Sequence, residues 1–320
     1  CILMPQYDYL VVGAGLFGAV FAHEIKERGK RVLVVEKRSH IGGNVYTENM
    51  DGIELHAYGA HIFHTNQKSI WDYVNQFVFM KPFVNSPVAN YRGELYSLPF
   101  NMNTFYALWK VRTPQEAMEK LAEQRAEFAD VEPKNLAEQA CKLVGRDIIK
   151  RIPVRLTFDN NYFNDTFQGI PSDGYTALVG RMLEGIDVRL NVDFFHERNE
   201  LESLAKKIVF TGRVDQYFNS CYGSLEYRSL RFENERLSVE NYQGVAVVNY
   251  TDAETPYTRI IEHKHFSPVD ASYTIITREY PEDWAEGREP YYPVNDEGNM
   301  RRYEEYRKRA EETCPRLILG

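Results

Sequence analysis

A glycine triplet in a fixed setting constrains this chain more than any other feature. The apolar run Tyr7-Asp-Tyr-Leu-Val-Val leads into Gly13-Ala14-Gly15-Leu16-Phe17-Gly18, and a helix-like stretch continues from there. Gly13 permits a tight turn, Gly15 lets the backbone come close to a bound group, and Gly18 lets a helix pack tightly on a strand. Free N–H groups at the start of such a helix suit a pyrophosphate. A second apolar run, Arg31-Val-Leu-Val-Val-Glu36, ends in an acid placed to accept from a pair of ribose hydroxyls. Strands at 8–13 and 31–36 around a helix over about 15–29 predict the opening βαβ unit of a doubly wound α/β sheet that holds a dinucleotide.

The next residues narrow the nucleotide. Lys37-Arg38-Ser39-His40-Ile41-Gly42-Gly43-Asn44 adds cations and a glycine pair, giving the backbone another close approach to a phosphate or sugar edge. A glutamate at position 36 disfavours the extra phosphate of NADP. This continuation resembles the FAD-binding glutathione-reductase-like group. The resemblance implies FAD, with Gly13, Gly15, Leu16, Phe17, Gly18, Glu36, Lys37, Arg38, Gly42, Gly43 and Asn44 in its site.

Length and composition bound the rest. A chain of 320 residues can bury a large core and suggests about two domains. With 43% hydrophobic residues, a mean hydropathy of -0.48 and no long apolar run, no membrane span is expected. The N-terminus lacks a basic-then-apolar leader. Cys1, Cys141, Cys221 and Cys314 are scattered without CxxC or metal-ligand spacing, so free thiols in a reducing, cytoplasmic compartment are expected. A net charge of -8 argues against a nucleic-acid surface, so a polyanionic substrate would need local arginines. The 22 Tyr and 18 Phe concentrate in 91–109, 158–167 and 217–232. Most serve packing, but such clusters also suit a nucleotide-sugar pocket.

Periodicity divides the chain. Residues 105–110, 114–129 and 134–144 show helical spacing and predict a helical insertion. Runs at 154–158, 244–250 and 273–277 are β-branched or aromatic and predict a mostly antiparallel sheet domain. Residues 207–212 read as a late strand returning to the cofactor sheet, and 301–313 as a charged amphipathic helix. The expected division is an FAD-binding domain over 1–85, a helical or lid domain over 86–150, a substrate sheet domain over 151–190 and 224–290, and returns to the FAD-binding domain over 191–223 and 291–320.

Long ordered segments then carry a family resemblance. Tyr58-Gly-Ala-His61-Ile62-Phe-His64-Thr, Phe83-Val-Asn85-Ser-Pro, Tyr96-Ser-Leu-Pro-Phe-Asn-Met, Lys150-Arg151-Ile-Pro-Val-Arg155, Asp159-Asn-Asn-Tyr162-Phe163-Asn-Asp, Asn249-Tyr-Thr-Asp, Thr258-Arg259-Ile-Ile-Glu-His-Lys-His-Phe and Pro290-Tyr-Tyr-Pro together resemble the prokaryotic UDP-galactopyranose mutase family over nearly the whole chain. The resemblance implies interconversion of UDP-galactopyranose and UDP-galactofuranose with reduced FAD and no net redox change. In that family flavin N5 attacks the anomeric carbon, UDP leaves, and the sugar re-closes on another hydroxyl before UDP returns. It also suggests a homodimer.

By the family motifs, Arg151 and Arg259 hold the diphosphate, where fixed cations stabilise a departing anion. Arg155 is placed less firmly and could be structural. Asn85, Tyr162, Phe163 and Asn249 match residues near the sugar and phosphates, while His64, His61 and Ile62 run along the flavin. His61 and His64 have HxxH spacing but no third ligand at zinc spacing, so no metal is expected. Two departures stand out. The family carries a further aromatic lid segment between Ile148 and Ile149, so a chain break is expected there, the alternative being a real deletion of the lid. It also continues past Gly320 with residues that help complete the flavin pocket. A flavin amine-oxidase or desaturase-like oxidoreductase, or a non-catalytic flavin or nucleotide-sugar binder, would share the N-terminal fingerprint.

Overall fold

The computed structural model describes residues 5–127 and 154–320. Arg151, Cys1, Cys141, the Ile148–Ile149 junction and the stretch 134–144 lie outside the described residues. The first sheet has five strands in the order β10-β2-β1-β11-β17, all parallel: β10 (Asp187–Arg189), β2 (Val32–Val35), β1 (Tyr7–Val12), β11 (Ala205–Phe210) and β17 (Leu317–Leu319). All four residues of β2 are buried, as a parallel strand covered on both faces requires. One face carries Val11, Val34 and Val209 under the helices Leu16–Glu27 and Tyr175–Met182. The other carries Leu10, Leu33, Ile208 and Phe210 against Phe194, Leu201 and Tyr217. This is the expected doubly wound arrangement, with the return strand at β11.

A second sheet of seven strands has the order β16-β12-β15-β14-β13-β7-β8. These are β16 (Tyr292–Pro293), β12 (Tyr227–Leu237), β15 (Thr274–Asp283), β14 (Arg259–Glu262), β13 (Val247–Tyr250), β7 (Val88–Tyr91) and β8 (Glu94–Ser97). Every pairing is antiparallel except β13 with β7. A hairpin of β3 (Thr47–Met50) and β4 (Ile53–His56), and a three-stranded sheet in which β9 (Phe167–Pro171) lies between β5 (Phe63–Thr65) and β6 (Met80–Pro82), join the two.

Three sequence expectations need correction. Residues 88–97 do not belong with the helical segment: the polar turn at Arg92-Gly93 closes a hairpin whose first strand pairs with β13. Residues 187–189 pair with β2 rather than joining the substrate sheet. Residues 154–158 form no strand. Their backbone is caught by single hydrogen bonds to the Phe100–Met102 loop instead, Arg155 N–H donating to Phe100 O and Met102 N–H to Thr157 O. The insertion does contain the helices Met102–Trp109 and Pro114–Glu127; the first is opened by Asn101, whose side chain accepts from Asn103 N–H.

Candidate functional site

At the glycine turn the tight turn expected of Gly13 and the close helix packing expected of Gly18 are visible. Gly13 has φ +109°, and a Cβ there would lie 2.1 Å from Thr211 Oγ1. A Cβ on Gly18 would lie 2.0 Å from the Gly13 carbonyl, so the helix sits on its strand only because position 18 has no side chain. Gly15 is the N-cap of the helix Leu16–Glu27 and no side chain caps it. The first-turn N–H groups are therefore available to an external anion. Gly43, with φ +54°, faces Gly15 so closely that a Cβ would lie 2.9 Å from its Cα. Gly42 N–H donates to the Ala14 carbonyl, fastening the second glycine pair to the first.

Glu36 is buried and anchors the same loop: Oε2 accepts from Ala14 N–H and Oε1 from Arg38 N–H, both at 2.9 Å. Arg38 donates to Asn44 Oδ1 and pairs with Glu289 at 2.9 Å, while its guanidinium lies 4.3 Å from the Tyr58 ring centre. Lys37 also reaches Glu289, at 3.3 Å. Leu16 packs on the core, and Phe17 is half exposed beside Gly320.

The second sheet supplies the cation. Direct cross-strand partners run Phe232, Glu279, Arg259, Asn249, Ala89 across β12, β15, β14, β13 and β7. Direct partners present their side chains on one face, so Arg259 lies between an acid and an amide. Its Nε is 3.4 Å from Glu279 Oε1. Burial raises the Glu279 carboxyl above its usual range, with Arg259 opposing the shift. The 57–61 loop crosses this row at Gly59, where φ is +96° and a Cβ would lie 3.5 Å from Glu279 Oε2. His61 follows. Burial lowers its pKa, hydrogen bonding to the Asn44 and Tyr58 carbonyls opposes this, and Arg259 lowers it further. Its Nε2 is buried without a protein partner. The 57–61 loop and the second sheet thus meet at His61 and Arg259.

His64 has partners of its own. It is exposed, its Nδ1 bonds Asp165 and its ring stacks on Phe163 at 3.7 Å. Tyr162 N–H donates to the carbonyl of buried Asn85, which joins those two predicted residues. Tyr162 itself is exposed, against Phe163. Ile62 packs on the cluster of Ile170, Val247, Ile261 and Phe266. The Arg155 guanidinium is taken up by Asp159, Asn161 O, Tyr162 O and Asn164, which makes it a structural clasp for the loop holding Tyr162. Sequence reasoning missed Glu279, Glu289, Thr211, Gly59 and His56. Nothing in the residue pattern singled them out; Glu279 is one of four charged residues on its strand, with Arg278, Glu282 and Asp283.

The residues fit a flavin dinucleotide: an uncapped helix start, two touching glycines, a buried acid beside them, and an orphaned ring nitrogen at the far end. Among the described residues no helix is long and apolar enough to cross a membrane.

Comparison with known proteins agrees. The UDP-galactopyranose mutase family profile matches residues 133–320, and an NAD(P)-binding Rossmann-like profile matches 11–77. A probable UDP-galactopyranose mutase of Klebsiella pneumoniae is 36% identical over 96% of this chain and 87% of its own length. A dTDP-fucopyranose mutase of Escherichia coli is 32% identical over 97% of this chain and 91% of its own. The crystal structure of a reduced UDP-galactopyranose mutase superposes with a TM-score of 0.67 at 12% identity, covering 98% of this chain and 89% of that one. That likeness speaks for the fold alone. The family match over more than half of the chain and the near-full-length relatives go further: the chain belongs to the UDP-galactopyranose mutase family.

Proposed function

We propose that this protein is an isomerase that interconverts UDP-galactopyranose and UDP-galactofuranose and works with reduced FAD. The observation that carries the reading is the Glu279–Arg259–Asn249 row lying beneath the Gly59–His61 loop, so that a fixed cation meets the end of the cofactor site. Glu279 faces Arg259 on its Nε side, 3.4 Å away as an ion pair without a hydrogen bond. The fork's two terminal nitrogens remain for phosphate oxygens, the geometry in which arginine binds a diphosphate. Charge gathers on UDP as it leaves, and a preorganised guanidinium stabilises it most at that moment. Arg151, assigned by its motif, would be the second cation. Asn249 and Asn85 offer neutral donors and acceptors for sugar hydroxyls, with Tyr162 and Phe163 as apolar walls. His64, held by Asp165, borders the same space in this reading.

Reduced flavin, when bound, supplies a nucleophilic N5, which explains how a ring rearrangement proceeds without net oxidation. The protein holds the dinucleotide through the Gly13–Gly18 turn, Glu36, Arg38, the Gly42–Gly43 pair and Asn44. We place the enzyme in the cytoplasm as a homodimer. The scattered cysteines support the first and the family supports the second.

The test compares flavin-loaded protein, oxidised and dithionite-reduced, on UDP-galactofuranose, with dTDP-fucopyranose in parallel. Turnover of the UDP-sugar by the reduced protein alone is expected. Equal turnover by oxidised protein would remove the requirement for reduced flavin, and oxygen uptake with substrate would point to an oxidoreductase instead; preference for the dTDP-sugar would reassign the substrate.

A further inference from the structure

Two buried histidines outside the proposed chemistry form a continuous chain into the site. His61 N–H donates to His56 Nδ1 at 3.2 Å, and His56 N–H donates to His263 Nδ1 at 3.1 Å. His263 Nε2 meets Thr277 Oγ1 at 2.6 Å, and Thr277 donates onward to Asn234 Oδ1 at 2.7 Å. The first two links run from backbone N–H groups to ring nitrogens, and the last two join side chains. Because Nδ1 of His263 receives a donor, its proton sits on Nε2, and Thr277, having given its own proton to Asn234, can only accept. Thr277 and Asn234 are direct cross-strand partners on β15 and β12, so the chain is rooted in the second sheet. It ends at the loop whose Gly59 crosses Glu279 and whose His61 presents an unpartnered Nε2.

We propose that His56, His263 and Thr277 are positioning residues for the cofactor site, fixing the 57–61 loop so that the His61 ring is aimed at the bound flavin. The proposal rests on the functional reading above. Its physical basis is that each buried N–H in the chain needs a lone pair opposite, and a neutral histidine with Nδ1 free provides one. Protonation or a tautomer change would set donor against donor. Burial pushes both rings well below the ordinary histidine range, which keeps those lone pairs free. His56 is further wedged against Phe266 at 4.6 Å and Tyr175 at 5.9 Å, leaving its ring little freedom to turn away.

The test uses the flavin-loaded protein and reads the FAD dissociation constant and the visible absorption bands, with thermal melting to monitor the fold. His56→Leu should weaken FAD binding about tenfold and shift the bands, whereas His56→Asn, whose Oδ1 can accept where Nδ1 did, should return affinity to within about threefold of wild type. Thr277→Val keeps the shape and should move both readouts in the direction of His56→Leu; it decides the matter if His56→Leu does not fold. Nitrogen-15 spectra of the apoprotein should show both rings as neutral Nε2–H tautomers. If Thr277→Val lowers only the melting temperature, or if His56→Asn restores nothing, the chain is a packing device and the inference falls alone. If wild-type protein takes up no flavin, the functional reading falls with it.

Discussion

Arg259 lies between Glu279 and Asn249 on one sheet face, with Glu279 only 4% exposed behind it. Arg259→Ala should therefore lower kcat/KM for the UDP-sugar at least about a hundredfold, roughly 2.7 kcal/mol, as expected when one preorganised donor to a developing charge is lost. FAD content should stay near wild type, because the cofactor's phosphates are assigned to the helix start at Gly15. Loss of flavin in this variant would transfer Arg259 from the substrate to the cofactor. At this scale the glycines and Glu36 were readable from residue type and spacing, because backbone access and a tight turn admit few alternatives. Glu279 and Glu289 were not, since an acid becomes a partner only through what the fold places opposite it.

The helix Glu297–Thr313 contains the charged amphipathic helix expected over 301–313. Its sequence is dominated by Arg and Glu, and its narrow buried side holds Tyr306, fully buried, with Asn299 and Ala310. The Tyr306 hydroxyl donates to Gly223 O at 2.7 Å and accepts from Tyr222 N–H at 3.0 Å, tying the helix to the 219–223 turn. Tyr306→Phe would strand both backbone groups. A loss of about 1–3 kcal/mol is expected, seen as a melting temperature lower by about 2–4 °C per kcal/mol, with flavin affinity unchanged. A variant as stable as wild type would mean that water replaces the hydroxyl. The stretch 154–158 does mislead: its β-branched pattern suits a strand, but Arg155 bends the following loop around its own guanidinium.

For the whole molecule, the buried histidines predict how stability responds to acid. His263 is held down to about 3 by burial, and His56 is shifted in the same direction by burial and by its histidine neighbours. Both folded values lie below the unfolded value, so the unfolded chain binds protons first as pH falls. Stability is unaffected by these groups well above pH 6.5 and is lost progressively from there toward pH 3. For His263 alone the loss between pH 7 and pH 5 is about 2 kcal/mol. Denaturant midpoints at the two pH values check this, and His263→Asn should flatten the difference; an equal slope in that variant would remove His263 as the cause. What the sequence determined by itself was local: the strand–turn–helix nucleotide fold, whose signal lies between Tyr7 and Glu36, and membership suggested by ordered motifs. The tertiary structure decided what no spacing encodes. It carried residues 88–97 to the second sheet because a hairpin edge needs a hydrogen-bonding neighbour, and it brought Glu289 to Arg38 and Glu279 to Arg259. It also set His56, His61 and His263 in line, since contacts between residues some 200 positions apart in sequence come only from the packing of one sheet's loops on another.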